Sequence, residues 1–423
     1  MRVLWVFVLL TLHSFAWQLL GFGTETREKE VTIRTVLPMD VEYEKGVARS
    51  HLNDIRESMG MNTLLQDDLL NLAAQGHADY LVANNESSHY EVEGHKKFIG
   101  VKPVDRTLSV NYQSTQVSEN LSTHTYDAQS SIDGLFSAIY HRFGFLALDI
   151  DTIGVGTTQE KSKTSNSAFV YVMANSNLER FCHDKSFSGS GKYYYKMCKN
   201  EDHRIGEKAY HKALDANKRY NPKIVLYPYD GQKEVPPVFY DESPDPLPNH
   251  EVSGFPVSVE FNDYFFKEVS LQSFKLFENE GSEVTDVLLM NKDNDPHQRF
   301  TSKQFSLFPL KRLEYDTEYR AEIAYSVKGK LETLSWAFVT QKPTESLHKI
   351  ETKDATLHLE KGKSHILYFP PHNAHDLLKQ LQFPADVDIT FIDHNTLKLT
   401  VMDEDLDDFT MKSEGRNIRI VME

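Results

Sequence analysis

The chain has 423 residues, 40% of them hydrophobic and 26% charged, and a formal net charge of −16 at pH 7. This composition is typical of globular domains and excludes a largely disordered chain. The acidic charge, without a cluster of Lys and Arg, argues against a nucleic-acid-binding protein, because phosphate backbones bind clustered basic residues. At about 100–200 residues per domain, the length predicts roughly two to four domains.

The first 22 residues have the pattern of a targeting segment. The basic Arg2 precedes an apolar run, and Ser14 and Ala16 place small residues where a signal peptidase reads the chain. We therefore expect residues 1–22 to be a secretory signal peptide and the protein to be secreted or envelope-associated. An uncleaved anchor is the alternative, because the apolar character continues to Phe22 and about 20 residues span a bilayer.

Residues 46–178 show the mixture of helical and strand patterns expected of an α and β domain. Apolar residues follow a helical period that ends at Asn84–Asn85. Asp127 is placed to cap a second helix that runs to Tyr140, which puts the following histidine at the helix exit. Two short apolar strands lie within Ile153–Val172, around a polar hairpin.

The only two cysteines, Cys182 and Cys198, lie in an expected extension over residues 179–227. In an exported chain, two closely spaced cysteines predict one disulfide bond. A metal-binding pair is the alternative, although the spacing is far from that of a C-x-x-C motif. The same extension has a helical pattern around Glu207 to Lys218.

A proline-rich stretch after Tyr227 marks a domain boundary, because such segments favour extended geometry. Beyond it, short strands separated by turns predict an Ig-like β-sandwich over residues 228–341. Residues 342–423 are expected to form a small α+β unit, in which His372–Phe383 is the helix. The acidic stretch Asp403–Asp408 is expected to be a solvated face. The predicted fold class is therefore multi-domain α+β.

The sequence lacks several common catalytic signatures. It contains no G-x-S-x-G nucleophile elbow, no P-loop, no H-E-x-x-H motif and no dinucleotide-binding fingerprint. The two cysteines, if bonded to each other, cannot act as nucleophiles. No catalytic residue is therefore assigned from the sequence.

Six short stretches of the first module occur in a fixed order: "LNDIRESMGMNTL", "ANNESSHYE", "FIGVKPVDR", "VSENLST", "SIDGLFSAIYHRFGFL" and "IGVGTT". Over residues 46–178 the chain resembles the CAP superfamily, also called SCP-like, of cysteine-rich secretory, antigen 5 and pathogenesis-related proteins. In particular it resembles the bacterial extracellular SCP-like branch. The resemblance implies an α-β-α sandwich with an open cleft that holds two histidines and one or two acidic residues.

The resemblance also points to particular residues of this cleft. His89 matches the first histidine of the family, and His141 matches the second. Glu119 matches the acidic residue of the G-E-N motif, with Ser118 in place of its glycine. Ala138 stands where some members place another acidic residue. The expected cleft cluster therefore has three members.

Two imidazoles and a carboxylate can hold a divalent metal such as zinc and leave a position for water. Our hypothesis from the sequence is that His89, Glu119 and His141 bind such an ion. The alternative is that the three side chains only hydrogen-bond to one another at the floor of the cleft.

The sequence thus favours an exported, non-enzymatic protein that binds a ligand in the CAP cleft. The resemblance implies an extracellular or envelope partner, which is a lipid, a glycan or a protein, and does not select among them. One alternative is a metal-assisted hydrolase or protease of the cell envelope. Another is an adhesion or structural module, in which the later domains bind the partner.

Overall fold

The structure is a computed structural model that describes residues 38–423 except residues 162, 164, 241, 280, 403 and 404. The expected signal segment, residues 1–22, lies outside the described residues, as do the first two residues of the acidic stretch. Within the described part of the chain, no helix is both long enough and apolar enough to cross a membrane.

Residues 38–174, the first unit, alternate helices and strands. Its elements are α1 (Val41–Ser58), β1 (Leu65–Gln66), α2 (Asp68–Asn84), α3 (Pro103–Ser109), β2 (Val117–Thr123), α4 (Ala128–Ser137), α5 (Ile139–Phe145), β3 (Thr152–Gln159) and β4 (Ser167–Ala174). The strands form one sheet in the order β1-β3-β4-β2. Along β4, Phe169 and Tyr171 pack with α1 and α4, whereas Val170 and Val172 pack with α2. The sheet therefore lies between two helical layers, and β2 is an edge strand.

Two glycines of β3 allow α2 to lie directly on the sheet. A Cβ atom at Gly154 would overlap backbone atoms of Leu70, and one at Gly156 would overlap backbone atoms of Ala74. Glycine within a strand often marks such a close approach of another backbone segment. The two glycines of the "IGVG" stretch are therefore required for α2 to pack closely against β3.

We predict that Gly156→Ala lowers the free energy of unfolding by about 3 kcal/mol or more, because overpacking costs about 1–3 kcal/mol even where side chains can yield. Urea denaturation followed by circular dichroism measures the change. Gly134→Ala is the matched control, since an added carbon on α4 meets nothing within 4 Å. It should raise stability by up to about 1 kcal/mol. Equal stabilities for the two variants would contradict this account of the layer.

The helix expected from Asp127 to Tyr140 is two helices in the structure. Asp127 caps α4 as predicted, and its carboxylate accepts a hydrogen bond from the backbone N–H of Ser130 at 2.7 Å. Ala138 is extended, with φ −76° and ψ 112°, and separates α4 from α5. The expectation that His141 lies at a helix exit is therefore wrong, because this break places it in the first turn of α5.

The segment that follows the first unit contains short elements and the disulfide. They are α6 (Ser176–His183), β5 (Tyr193–Tyr194), β6 (Ile205–Gly206) and α7 (Glu207–Lys218). Cys182 and Cys198 form the predicted disulfide, with Cα atoms 5.5 Å apart. The helix predicted around Glu207 to Lys218 is confirmed with those bounds.

Residues 224–340, the second unit, form two sheets. The strands are β7 (Ile224–Tyr227), β8 (Gln232–Val235), β9 (Val257–Phe261), β10 (Ser270–Glu278), β11 (Ser282–Glu283), β12 (Val287–Met290), β13 (Gln304–Pro309), β14 (Glu318–Val327) and β15 (Lys330–Thr340). One sheet has the order β11-β10-β14-β15-β8 and the other β12-β13-β9-β7. Leu276 and Phe338 of the first sheet share a core with Val259 and Leu307 of the second. That core also contains residues of the first unit, so the two units have a continuous interior.

The C-terminal unit, residues 346–422, also consists of two sheets. Its strands are β16 (Ser346–Lys349), β17 (Asp354–Leu359), β18 (Ser364–Tyr368), β19 (Val387–Asp393), β20 (Thr396–Val401), β21 (Asp408–Ser413) and β22 (Arg416–Met422). The orders are β16-β18-β20-β19 and β17-β22-β21, and buried residues of both sheets form one core. The α+β expectation for this unit is therefore wrong for the described residues, all of whose regular elements are strands.

The segment His372–Phe383, expected to be a helix, is irregular because its backbone bonds to the turns of the β19–β20 and β21–β22 hairpins. Lys379 and Gln380 donate their backbone N–H groups to the carboxylate of Glu414, at 3.0 and 2.8 Å. Leu378 donates its N–H to the carbonyl of His394 at 2.9 Å. A helix would turn these donors onto its own carbonyl groups, so tertiary partners override the local helical pattern.

Candidate functional site

The three side chains matched by sequence come together at the edge strand β2. Glu119 lies on β2, His89 on the loop between α2 and α3, and His141 on α5. The Nδ1 atom of His89 is 2.9 Å from Oε1 of Glu119. The rings of His89 and His141 are nearly parallel, at an interplanar angle of 22°, with centroids 6.3 Å apart.

Glu119 is the buried anion of this group. Arg106 donates from Nη2 to both carboxylate oxygens, at 2.9 and 2.7 Å, and the Glu119 side chain is 1% exposed. Burial favours a higher pKa for Glu119, but the hydrogen bond from His89 and the charge of Arg106 outweigh it and hold the pKa below its ordinary value. Glu119 is therefore ionised and fully engaged by protein donors.

A second buried pair lies behind Glu119. The Nδ1 atom of His77 is 2.8 Å from a carboxylate oxygen of Glu91, and its Nε2 atom is 3.0 Å from the carbonyl of Ser88. Both partners are acceptors, so the ring satisfies both only when both nitrogens donate. The other oxygen of Glu91 accepts the backbone N–H of Ile99 at 2.7 Å. The hydrogen bonds of His77 and Glu91 therefore hold the loop that carries His89.

The fourth member of the group is Glu242, which comes from the second unit. Its Oε2 atom is 2.9 Å from Nδ1 of His141, and its Oε1 atom accepts the backbone N–H of Tyr140 at 3.1 Å. Its side chain is 2% exposed. We call His89, Glu119, His141 and Glu242 the cleft cluster. A second acidic residue is thus present in space, although Ala138 leaves none at the expected place in sequence.

Sequence reasoning missed Glu242 because 101 positions separate it from His141 and no spacing motif links the two. The one sequence feature that could have pointed to Glu242 is its place in a proline-rich segment, where the restricted backbone can hold a carboxylate in a fixed position. Arg106 and His77 were missed for a related reason, since nothing local shows which carboxylate each one faces.

The helix α5 is held by the second unit through Arg142. This fully buried side chain donates from Nη1 to the carbonyl of Pro256 at 2.7 Å and to Oγ of Ser258 at 3.0 Å. Its guanidinium carbon lies 4.8 Å from the ring centre of Tyr227 and 4.9 Å from that of Phe255. Burial lowers the pKa of Arg142 to about 9, so the guanidinium is charged at neutral pH.

Apolar side chains of α5 pack on the same unit. Ile139 and Phe143 lie in a buried cluster with Phe239, Phe300 and other side chains of residues 239–308. Tyr140 packs edge-on against Phe300 and donates its hydroxyl hydrogen to Asp295. The side chains on both sides of His141 therefore contact residues beyond the first unit, while its backbone carbonyl accepts from Asn120 of β2 at 2.7 Å.

The predicted three-ligand metal set does not form in the described residues. No group of three or more His, Cys, Asp or Glu side chains there has an arrangement that could hold a metal ion. The reason is that Glu119 already accepts from Arg106 and His89. The Nε2 atoms of His89 and His141 have no hydrogen-bond partner within that part of the chain.

Two open hollows on the surface lie away from the cleft cluster. One, of about 660 Å³, runs along α7 and includes Tyr264. The other, of about 300 Å³, lies between α1 and the start of α4. Neither hollow is lined by a residue of the cleft cluster.

We predict that Glu119→Gln lowers the free energy of unfolding by about 3–5 kcal/mol near neutral pH, because the buried Arg106 loses its close carboxylate partner and keeps only a longer contact with Glu91, at 3.8 Å. The pKa of Glu119 is held below its ordinary value, so the stabilisation is present at pH values above that ordinary value and is lost as the pH falls through the lowered pKa. The difference between variant and wild type should therefore narrow in acid. Urea denaturation at a series of pH values measures it.

Glu93→Gln is the matched control for this measurement, because Glu93 is an exposed carboxylate of the same loop. Its stability should stay within about 0.5 kcal/mol of the wild type. A Glu119→Gln protein as stable as this control would show that Glu119 is not the anion that balances Arg106.

Comparison with known proteins bears on the first unit. Residues 49–176 match the model of the cysteine-rich secretory protein (CAP) family. An extracellular protein containing an SCP domain from Bacillus anthracis is 19% identical over 31% of this chain and 40% of its own, with a TM-score of 0.27. An outer surface protein from Borrelia burgdorferi is 18% identical over 32% of this chain and 94% of its own, with a TM-score of 0.28.

An endo-fucoidan hydrolase of glycoside hydrolase family 107 is 11% identical over 51% of this chain and 37% of its own, with a TM-score of 0.21. The comparison with curated proteins gives no match. Residues 49–176 therefore form a CAP domain, as their motifs predict, and the chain is a CAP-domain protein with a large β-rich remainder.

Proposed function

We propose that the chain is an exported, non-enzymatic CAP-domain protein that binds a ligand at the cleft cluster, with a divalent ion such as zinc held by Nε2 of His89 and His141. One observation carries the proposal. Each of these imidazoles is oriented through Nδ1 by a buried carboxylate, Glu119 in one case and Glu242 in the other.

The two contacts define the chemistry of the rings. A carboxylate accepts from Nδ1–H, which leaves the lone pair of the neutral ring on Nε2. Carboxylates hold metal-binding histidines in this way in many proteins, and they raise the basicity of the ligating nitrogen. Glu119 and Glu242 would therefore orient the two ligands, and the imidazoles would hold the ion.

Solvent exposure divides the cluster in the same way. The side chains of His89 and His141 are 36% and 14% exposed, whereas those of Glu119 and Glu242 are 1% and 2% exposed. An approaching ligand therefore meets the imidazoles first. Arg106 balances the charge of Glu119, so the carboxylate that favours a cation at this position is that of Glu242 behind His141.

An ion held by only two protein ligands retains open coordination positions. Oxygen or nitrogen donors of a ligand could fill them, which would make ligand binding depend on the ion. The partner class stays as the family implies, namely a lipid, a glycan or a protein outside the cell. The cluster favours partners that offer such donors near an ion.

The export part of the proposal is supported by the apolar segment in residues 1–22 and by the disulfide, since disulfides persist in oxidising compartments. We also propose an Ig-like type for the two-sheet second unit, because its sheets share one core over about the length of such a domain. In this reading residues 46–178 bind the ligand, and residues 228–341 and 342–423 support and extend that domain.

The proposal predicts a zinc site with a micromolar or lower dissociation constant in the full chain, measured by calorimetry. His89→Ala and His141→Ala should each abolish this site. The chain has 18 histidines, so a control for other zinc contacts is needed. His183→Ala removes an exposed histidine that also contacts a glutamate, and it should leave the site intact.

Identical zinc binding by all four proteins, or its absence from the wild type, would contradict the metal part of the proposal. In that case the two imidazoles would only donate and accept hydrogen bonds. Hydrolysis of a peptide or glycan by the wild type that is lost in Glu119→Gln would favour the enzyme alternative.

A further inference from the structure

We infer that Glu242 is a positioning residue of the cleft cluster, which sets the tautomer of His141, so that the site is complete only when the CAP domain and the second unit are joined. The inference deepens the proposed function, on which its metal-binding consequence rests. The tautomer itself follows from contacts between described residues.

Glu242 faces two donors of different kinds. The backbone N–H of Tyr140 can only donate, so Oε1 of Glu242 must accept it. The remaining oxygen, Oε2, meets Nδ1 of His141 at 2.9 Å. An ionised carboxylate can only accept, so Nδ1 carries the hydrogen and Nε2 carries the lone pair.

The carboxylate is fixed in place by the chain on both sides of it. Phe239 and Ser253 exchange backbone hydrogen bonds of 2.9 and 2.8 Å, which close the loop that contains Glu242. Phe239 and Leu247 are buried in the apolar cluster against α5. Tyr240 donates its hydroxyl to Asp393 of the C-terminal unit at 2.7 Å. These contacts anchor the chain on both sides of Glu242.

The CAP domain has no described carboxylate of its own at this position. Ala138 occupies the place in sequence where the resemblance would put one, and within the described residues the carboxylate at Nδ1 of His141 is that of Glu242. His89 differs from His141 in this respect, because its carboxylate partner, Glu119, lies inside the CAP domain. The imidazole of His89 is thus oriented by a residue of the CAP domain, and that of His141 by a residue of the second unit.

The test is Glu242→Gln in the full chain. The amide must keep its oxygen toward the backbone N–H of Tyr140, which turns its NH2 group toward His141. Nδ1 of His141 must then accept, and the hydrogen moves to Nε2. Long-range ¹H–¹⁵N spectra of the imidazoles, assigned with His141→Gln, report this change of tautomer directly.

Zinc affinity gives the second readout. Loss of an orienting partner of a metal-bound histidine weakens binding about 10–100-fold, and we expect a loss in that range for Glu242→Gln. Glu242→Asp keeps a group that can only accept, so it should retain the wild-type tautomer even where the shorter side chain lowers stability. This rescue separates positioning from general destabilisation.

Asp295→Asn is the matched structural control. Asp295 accepts from Tyr140 on the same helix and contacts no described imidazole in the cluster. This variant should be less stable than the wild type and keep both its tautomer and its zinc affinity. An unchanged His141 tautomer in Glu242→Gln would overturn the inference, as would a changed one in Asp295→Asn. If zinc binds neither wild type nor variant, the metal proposal fails, and the tautomer still decides the role of Glu242.

Discussion

The burial of Arg142 in the second unit is the constraint on which the functional site depends. A guanidinium removed from water needs acceptors, and here they are the carbonyl of Phe136 in the first unit and, in the second unit, the carbonyl of Pro256 and the hydroxyl of Ser258, with two aromatic rings on its faces. His141 is the preceding residue. Any movement that separates the two units would therefore remove two of the three acceptors of this charge, next to an imidazole of the cleft cluster.

The cluster has an inner layer of charges and an outer layer of imidazoles. Arg106, His77, Glu91 and Glu119 form the inner layer, and removal of any one would leave a buried partner uncompensated. Networks of this kind contribute little net stability, but they fix geometry. The outer layer, His89 and His141, is partly exposed and is free to meet a ligand. An inner layer with fixed geometry holds the two exposed imidazoles in place, which suits the binding of a ligand.

Local patterns in the sequence predict much of the fold, and they fail where distant residues decide. The helix Glu207–Lys218 forms as expected, since its hydrophobic periodicity acts within the segment. The family motifs bring His89, Glu119 and His141 to one site. Glu242 carries no such signal, because its contact joins residues 101 positions apart. The irregular segment His372–Phe383 shows the same limit, since Glu414 supplies partners that a helix would otherwise provide.

The central claim is that the second unit holds α5, and with it His141, in place. Hydrogen exchange of the α5 amides, residues 139–145, in a Phe300→Ala protein tests it most directly, because Phe300 packs on Tyr140 and Phe143 from the second unit. The account predicts that α5 loses protection in this variant while α2 keeps its own. Unchanged protection of α5 would show that the CAP domain positions His141 without its neighbour.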